Sequence, residues 1–431
     1  MICDNISVNE DGVLCFGGRA VTELAQKYGT PLYLLDENKI RENCRTYVNA
    51  MRENFGDNFA VLYASKANSF KKIYNIVDEE GMYTDVVSVG EIYTAAAAGF
   101  PLSHAYFHSN NKTDEDVKFA IDNGVGHFVV DNMEELEVID RYAAEKGIKQ
   151  KILLRLTPGI DTHTYEAVNT GKVDSKFGTA IETGQAEKAV EYALSFANIE
   201  LCGFHCHIGS MVFDSDTFIR GAEIMLGFIN EMKSKFGFIT RELNLGGGYG
   251  VRYVESDPTI DIADNIRQVA EFIKSTCNEL QIDVPMILME PGRSIVADAG
   301  MTVYTVGTVK RITGYKNYIS VDGGMTDNPR YALYQSEYTL YIANKMNHKA
   351  DLKCDVVGRC CESGDIIQPN VTLPEAKRGD ILAVCTTGAY NYSMAMNYNR
   401  IARPPVVMLK DGSDYLAVRR ETLEDLIRND M

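Results

Sequence analysis

Short apolar runs rich in β-branched residues alternate with stretches of helical periodicity from about residue 59 onward. FAVLYASKA (59–67) is followed by apolar positions at Ile73, Ile76 and Val77. YTDVVSV (83–89) is followed by the alanine-rich EIYTAAAAG, and AYFHSN (105–110) by a helix near 113–123. HFVVD (127–131) precedes NMEELEVIDRYAAEKG, where Leu136, Ile139 and Ala143 recur at helical spacing. KILLRLTP (151–158) leads into a long loop and a helix over about 182–196. IELCGFHCHIG (199–209) precedes a helix over about 214–236, LNLGGGYG (243–250) one around 261–280, and MILMEPGR (286–293) is the eighth run. Such alternation predicts parallel βα units. Eight of them over residues 59–293 match a (β/α)8 TIM barrel, whose usual length is roughly 250 residues. A doubly wound open sheet is the alternative, but its glycine fingerprint follows the first strand, whereas here the glycine cluster follows the seventh.

Beyond residue 299 the pattern changes. MTVYTVGTVKRI, NYISVDGG, TLYIA, KCDVVG, GDILAVC, PVVML and YLAV are β-rich segments between turn signals, with hardly any helix before the last ten residues. This predicts an all-β domain, a β-sandwich or β-barrel. GVLCF and PLYLLD near the start are strand-like and could complete its sheet, making that domain discontinuous. The expected division is residues 36–298 for the barrel, and 1–35 with 299–431 for the β-domain.

Composition narrows the class. The chain has 431 residues, 45% hydrophobic and 24% charged, as in ordinary globular proteins. Its net charge of −17 argues against nucleic acid or an anionic membrane as the main partner. No apolar run reaches the ~18 residues of a membrane span, and MICDNISVNEDG lacks the pattern of a secretory signal. Ten cysteines without C-x-x-C favour reduced thiols and a cytoplasmic setting.

A barrel carries its reactive groups at the C-terminal ends of its strands and often binds phosphate after strands seven and eight. Strand seven ends in Gly246, Gly247 and Gly248, whose backbone amides can approach phosphate oxygens closely. Strand eight ends in Glu290-Pro291-Gly292-Arg293 and opens a helix, adding a positive dipole. A glycine triplet alone is more often a simple turn; two such features at the two expected strand ends point to phosphate. Lys66 ends strand one. It is either a solvated strand-end lysine or an amine free to form a Schiff base with an aldehyde. On strand six, alternation puts His205 and His207 on one face and Cys206 on the other. Cys202, Cys206 and these histidines do not match a zinc knuckle, and a ring-stacking histidine fits equally well, so no metal is assigned. A lysine, a phosphate cradle and the Glu290 carboxylate together suggest pyridoxal 5′-phosphate, which needs an amine anchor, a phosphate site and a partner for its ring nitrogen.

YASKAN (63–68), DVVSVGE (85–91), TGKVDSKFG (170–178), GFHCHIGS (203–210), NLGGGYG (244–250), EPGRSIVADAG (290–300), VDGGMTDNPRYALY (321–334), GRCCESGD (358–365) and GAYNYSMAMNYN (388–399) stand in one order along the chain. With them, nearly the whole sequence resembles the alanine-racemase-like (fold type III) pyridoxal phosphate enzymes, and more closely the meso-diaminopimelate decarboxylase family. The resemblance implies that Lys66 carries the cofactor and His207 stacks on its ring. It implies that Ser210, Gly247, Gly248, Gly292 and Arg293 hold or flank the phosphate, that Glu290 pairs with the ring nitrogen, and that Tyr390 touches the cofactor. Arg293, Arg330, Tyr334, Tyr390 and Glu362 would bind the substrate's distal end. Cys361 would protonate the α-carbon, entering with Glu362 from the partner subunit of a homodimer with shared active sites. Cys360 beside it is the rival thiol. Two departures from the family pattern stand out: Tyr165 replaces a histidine and Tyr331 a proline. The loop from about Pro158 to Gly178 is long enough to act as a lid.

The residue types agree with decarboxylation of meso-2,6-diaminopimelate to L-lysine. Arginines can grip a distal carboxylate bidentately, a glutamate suits a distal ammonium, and only an acid is needed to return a proton. Decarboxylases of arginine, ornithine or carboxynorspermidine share the scaffold but take substrates lacking the distal amino-acid end. A non-catalytic pyridoxal phosphate carrier would consist of a barrel alone.

Overall fold

A computed structural model describes residues 1–160 and 175–431. They form two compact units: Cys44–Gly250 with Thr259–Gly292, and Met1–Asn43 with Val251–Pro258 and Arg293–Met431. Most of the expected lid, and Tyr165, lie outside the described residues.

The first unit is a closed parallel barrel. Its strands are β1 (Phe59–Ala64), β2 (Tyr83–Val86), β3 (Ala105–Phe107), β4 (His127–Val130), β5 (Gln150–Thr157), β6 (Ile199–His205), β7 (Glu242–Asn244) and β8 (Met286–Met289). Each pairs in parallel with the next, and β8 pairs with β1 to close the ring. Strands β3 and β4 are buried throughout, as expected when helices cover one face and the barrel interior the other. Ala60, Leu62, Tyr106, Val129, Leu153, Cys202 and Leu288 pack together as a core cluster.

The helices start where the sequence supplies caps. Ser88, Asn132, Asp214 and Asp261 each accept a backbone N–H in the first turn of the helix they precede, and Thr113 with Asp116 forms a reciprocal capping box. Gly147 and Gly237 end two of them in the left-handed conformation.

The second unit is built on Gly300–Ile312. This strand pairs antiparallel with Leu32–Asp36, Ile381–Cys385 and Lys316–Val321, and its register shifts between Val306 and Thr308. Val406–Lys410 lies parallel to Leu32–Asp36, and Ala350–Val357 parallel to Lys316–Val321. The core includes Phe16, Leu32, Leu34, Val303, Val407 and Leu409. Among the described residues, no helix is long and apolar enough to cross a membrane.

Several expectations need correction. Strand one stops at Ala64, and Lys66 sits in a 3-10 turn, Ser65–Ala67, so strand alternation does not set its direction. PLYLLD joins the large sheet, but Leu14–Phe16 pairs in a separate three-stranded sheet with Ile6–Val8 and Arg19–Ala20. Ile366–Pro374 and the two-residue Thr179–Ala180 are strands that the periodicity did not single out.

Candidate active site

The C-terminal ends of the barrel strands gather the polar groups. The 3-10 turn after β1 is closed by Tyr63, whose hydroxyl donates to the Asn68 carbonyl at 2.9 Å. Lys66 is exposed, although Ala60–Ser65, Ala67 and Asn68 are all buried. The turn rests against the end of β8: Ala64 N–H donates to the Pro291 carbonyl at 3.0 Å. A Cβ on Gly292 would lie 2.8 Å from that of Ala64 and 3.1 Å from that of Ala67, so glycine permits this approach.

Glu290, one residue past β8, is buried with three partners. Its Oε1 accepts from Asn244 Nδ2 at 2.8 Å and lies 2.7 Å from His108 Nε2, while Oε2 lies 3.0 Å from His205 Nε2. Burial pushes its pKa up, but His108 and His205 outweigh that and hold the carboxyl well below the usual carboxylate range. Burial pushes His205 down to about 4, against the pull of Glu290. The arrangement at neutral pH is therefore an ionised carboxylate facing a neutral His205. Asn244 extends the network, its Oδ1 accepting from Gly246 N–H at 2.8 Å.

The glycine turn has no room for side chains. A Cβ on Gly247 would lie 2.0 Å from the Glu290 carbonyl oxygen, and one on Gly248 2.3 Å from that of Gly209. Gly246 and Gly248 have φ of +72° and +120°. A Cβ on Gly246 would lie 2.9 Å from His207 Nδ1, which places the half-buried His207 ring against the turn. Burial, followed by the charge of Lys66, pushes His207 well below its ordinary value. Ser210 is half-buried just beyond.

The other unit carries a second cluster. Arg293 is buried and donates from Nη1 to the Tyr253 hydroxyl at 2.8 Å. The guanidinium carbon of Arg293 lies 4.8 Å from the centroid of the Tyr390 ring, and that of Arg330 lies 5.1 Å from it. Arg330 is also buried, 5.4 Å from the Tyr334 ring centroid, and donates to Ser336 Oγ at 3.3 Å. Tyr390 therefore serves two guanidiniums, each within cation–π range. Its φ is +67°, an uncommon value for a bulky residue.

Cys361 and Glu362 occupy an exposed loop. Asp365 shapes it, accepting Met325 N–H at 2.6 Å and Cys360 N–H at 2.7 Å. Cys361 N–H donates to Asn399 Oδ1 at 2.8 Å. Cys360 is half-buried, and burial together with Asp365 pushes its thiol up to about 12.

The structure thus brings Glu290, His207, Gly247 and Gly248 together in one unit, and Arg293, Arg330, Tyr334 and Tyr390 in the other. Cys361 and Glu362 make their hydrogen bonds to Asn399 and within their own loop. Sequence reasoning missed His108, Asn244, Tyr253 and Asp85, a buried carboxylate on β2 that burial pushes up. The position of His108, one residue past β3, was the available signal.

The donor set fits pyridoxal phosphate. A carboxylate offers about four acceptor sites, and Glu290 has three partners among the described residues. One further donor, such as a protonated ring nitrogen, is accommodated. The glycine turn offers close backbone approach to an anion.

Residues 37–297 match the family model described as pyridoxal-dependent decarboxylase, pyridoxal binding domain. The chain is 44% identical over 423 residues to a diaminopimelate decarboxylase of Bacillus subtilis, covering 98% of this chain and 96% of the relative. It is 46% identical over 414 residues to that of Bacillus methanolicus, covering 96% of each. Among solved structures, the diaminopimelate decarboxylase of M. jannaschii in complex with L-lysine superposes with a TM-score of 0.91 at 33% identity, covering 100% of this chain and 98% of that one.

Proposed function

Because the chain belongs to the diaminopimelate decarboxylase family of pyridoxal-dependent decarboxylases, we propose that it converts meso-2,6-diaminopimelate to L-lysine and carbon dioxide, the last step of lysine biosynthesis. Bound pyridoxal 5′-phosphate supplies the electron sink for the charge left on the α-carbon. The chain's own residues supply the rest.

Lys66, exposed in the 3-10 turn that follows β1, anchors the cofactor. Glu290, kept ionised by its neighbours, holds a proton on the ring nitrogen. Neutral His207 would stack on the ring. Ser210, Gly247, Gly248, Gly292 and Arg293 hold the phosphate or lie beside it. Arg293, Arg330, Tyr334 and Tyr390 receive the distal amino-acid end, with Glu362 taking its ammonium. Cys361 donates its S–H proton to the α-carbon. A thiol serves here because the carbanion needs a poised acid rather than a strong base.

The active unit in this reading is a homodimer. Cys361 and Glu362 lie on an exposed loop, which suits residues delivered to the other copy's site. The cofactor domain runs over 36–298, supported by the family match at 37–297, and 1–35 with 299–431 forms the β-domain. The setting is cytoplasmic, with neither nucleic acid nor membrane as partner.

The observation that carries the substrate assignment is Tyr390 within 4.8 Å and 5.1 Å of two buried guanidiniums. Paired arginines suit a carboxylate, which ornithine lacks at its distal end. The test is carbon dioxide release with meso-diaminopimelate, lysine, arginine and ornithine supplied separately. Turnover of diaminopimelate alone supports the reading; turnover of arginine or ornithine without diaminopimelate overturns it.

A further inference from the structure

At the opposite end of the barrel strands from Lys66 and Glu290 lies a second polar cluster. His127 is the first residue of β4 and Glu242 the first of β7. Cys202 belongs to β6, at a break in its pairing with β5: Leu201 pairs with Ile152 and Gly203 with Leu153, leaving Cys202 as the extra residue of a bulge. Bulges re-aim a side chain. This one packs Cys202 with Tyr106, Leu153 and Leu288, while His205, three residues on, faces Glu290. Simple alternation would put positions three apart on opposite faces. Gly203 completes the fit, since a Cβ there would lie 1.8 Å from the Glu242 carbonyl oxygen.

His127, Cys202 and Glu242 each offer one ligand atom, all within 4.8 Å of one another. His127 Nε2 lies 3.3 Å from Glu242 Oε1. From zinc bond lengths, tetrahedral ligands stand about 3.3–3.7 Å apart. His127 is 7% exposed, yet its Nδ1 makes no hydrogen bond among the described residues. A buried imidazole normally has a partner; here Nε2 has the Glu242 carboxylate beside it, and Nδ1 is left for another. The ring is held by Tyr106, stacked at 4.2 Å with the planes 2° apart. Tyr106 also donates its hydroxyl to Glu242 Oε2 at 3.0 Å, so one side chain orients two ligands, as the outer layer of metal sites does. Arg241 Nη2 lies 3.3 Å from Cys202 Sγ and 2.6 Å from Glu200 Oε1. Glu200 can retain the guanidinium when the sulfur turns to a metal. The Glu242 side chain, 12% exposed, offers a route in from solvent.

We propose that His127, Cys202 and Glu242 form a binding site for a borderline-soft divalent transition metal of the zinc class, remote from the decarboxylation site. Mixed imidazole, thiolate and carboxylate donors select such ions over magnesium or calcium. Cys202 releases its thiol proton to solvent on binding, and a water completes the tetrahedron.

The test uses the enzyme loaded with pyridoxal phosphate, so that the cluster at Glu290 is occupied by the cofactor. Metal-free holoenzyme is titrated with Co²⁺ and then with Zn²⁺. The expected result is one equivalent of Co²⁺ per chain with a thiolate-to-cobalt charge-transfer band, abolished by one equivalent of Zn²⁺. Cys202→Ser should lose the band and His127→Gln should bind Co²⁺ at least tenfold more weakly, both with wild-type turnover. Cys206→Ser should keep the band. If Cys202→Ser fails to fold, Glu242→Gln replaces it, with a tenfold weakening expected. Absence of a thiolate band, or a band and affinity unchanged in these variants, overturns the proposal and leaves the decarboxylase reading untouched.

Discussion

Glu290 Oε2 and His205 Nε2 face each other at 3.0 Å, both side chains buried, at the C-terminal ends of β8 and β6, with β7 between them. With His108 and Asn244 on the other oxygen, the pair fixes a buried anion. Glu290→Gln keeps the shape and removes the charge. It should retain pyridoxal phosphate but lose turnover by about 10²-fold or more, the scale of removing one preorganised electrostatic contact. Steady-state rates beside cofactor absorbance check this; a loss below threefold would remove Glu290 from the reaction.

The same pair sets a pH dependence of stability. His205 stays neutral in the fold down to about pH 4, whereas an unfolded histidine takes its proton near ~6.5. Between these values the unfolded chain binds the extra proton, so stability falls as pH drops. Urea midpoints of the cofactor-free enzyme at pH 7 and pH 5 should differ more in the wild type than in His205→Asn. Equal differences would mean that His205 titrates normally.

Two glycines separate a steric role from a conformational one. Gly247→Ala drives a methyl to within 2.0 Å of the Glu290 carbonyl oxygen, and should weaken cofactor binding at least tenfold by equilibrium titration. Gly227, in the helix Ser215–Phe236, has no atom within 4 Å of a Cβ built on it. Gly227→Ala should stabilise by about 0.5–1 kcal/mol and leave turnover unchanged. Wild-type cofactor affinity in Gly247→Ala would contradict the cradle.

Adjacent thiols differ in environment. Cys361 is exposed, while Cys360 is half-buried with its thiol pushed up to about 12. Cys361→Ala should keep the cofactor and lose about 10²–10⁴-fold in turnover, the range of general-acid catalysis, with Cys360→Ala close to wild type. The reverse would transfer the acid to Cys360. Mixing inactive Lys66→Ala and Cys361→Ala proteins should restore activity through hybrid dimers; no recovery despite subunit exchange would place each site within one chain.

The barrel was legible because each of its strands is a short apolar run followed by a helical period. The glycine turn was legible because strand ends seven and eight are where barrels bind phosphate. What escaped depends on local departures from regular structure. The 3-10 turn at Lys66 and the bulge at Cys202 each change which way later residues face, and a period-two reading has no way to register either. His108 and Asn244 escaped because their role lies in contacts to Glu290, 182 and 46 positions away in sequence for the salt-bridged and hydrogen-bonded partner respectively. The grouping of Val251–Pro258 with the sheet unit, which puts Tyr253 beside Arg293, likewise comes from tertiary packing.

In the proposed function, Lys66 is the amine that carries the cofactor. Holoenzyme reduced with borohydride, digested and sequenced by mass spectrometry, tests it directly. The expected result is one pyridoxyl-phosphate adduct per chain, on the peptide containing Lys66, and none on Lys66→Ala protein treated in the same way. An unmodified Lys66, or an adduct on another lysine, would contradict it.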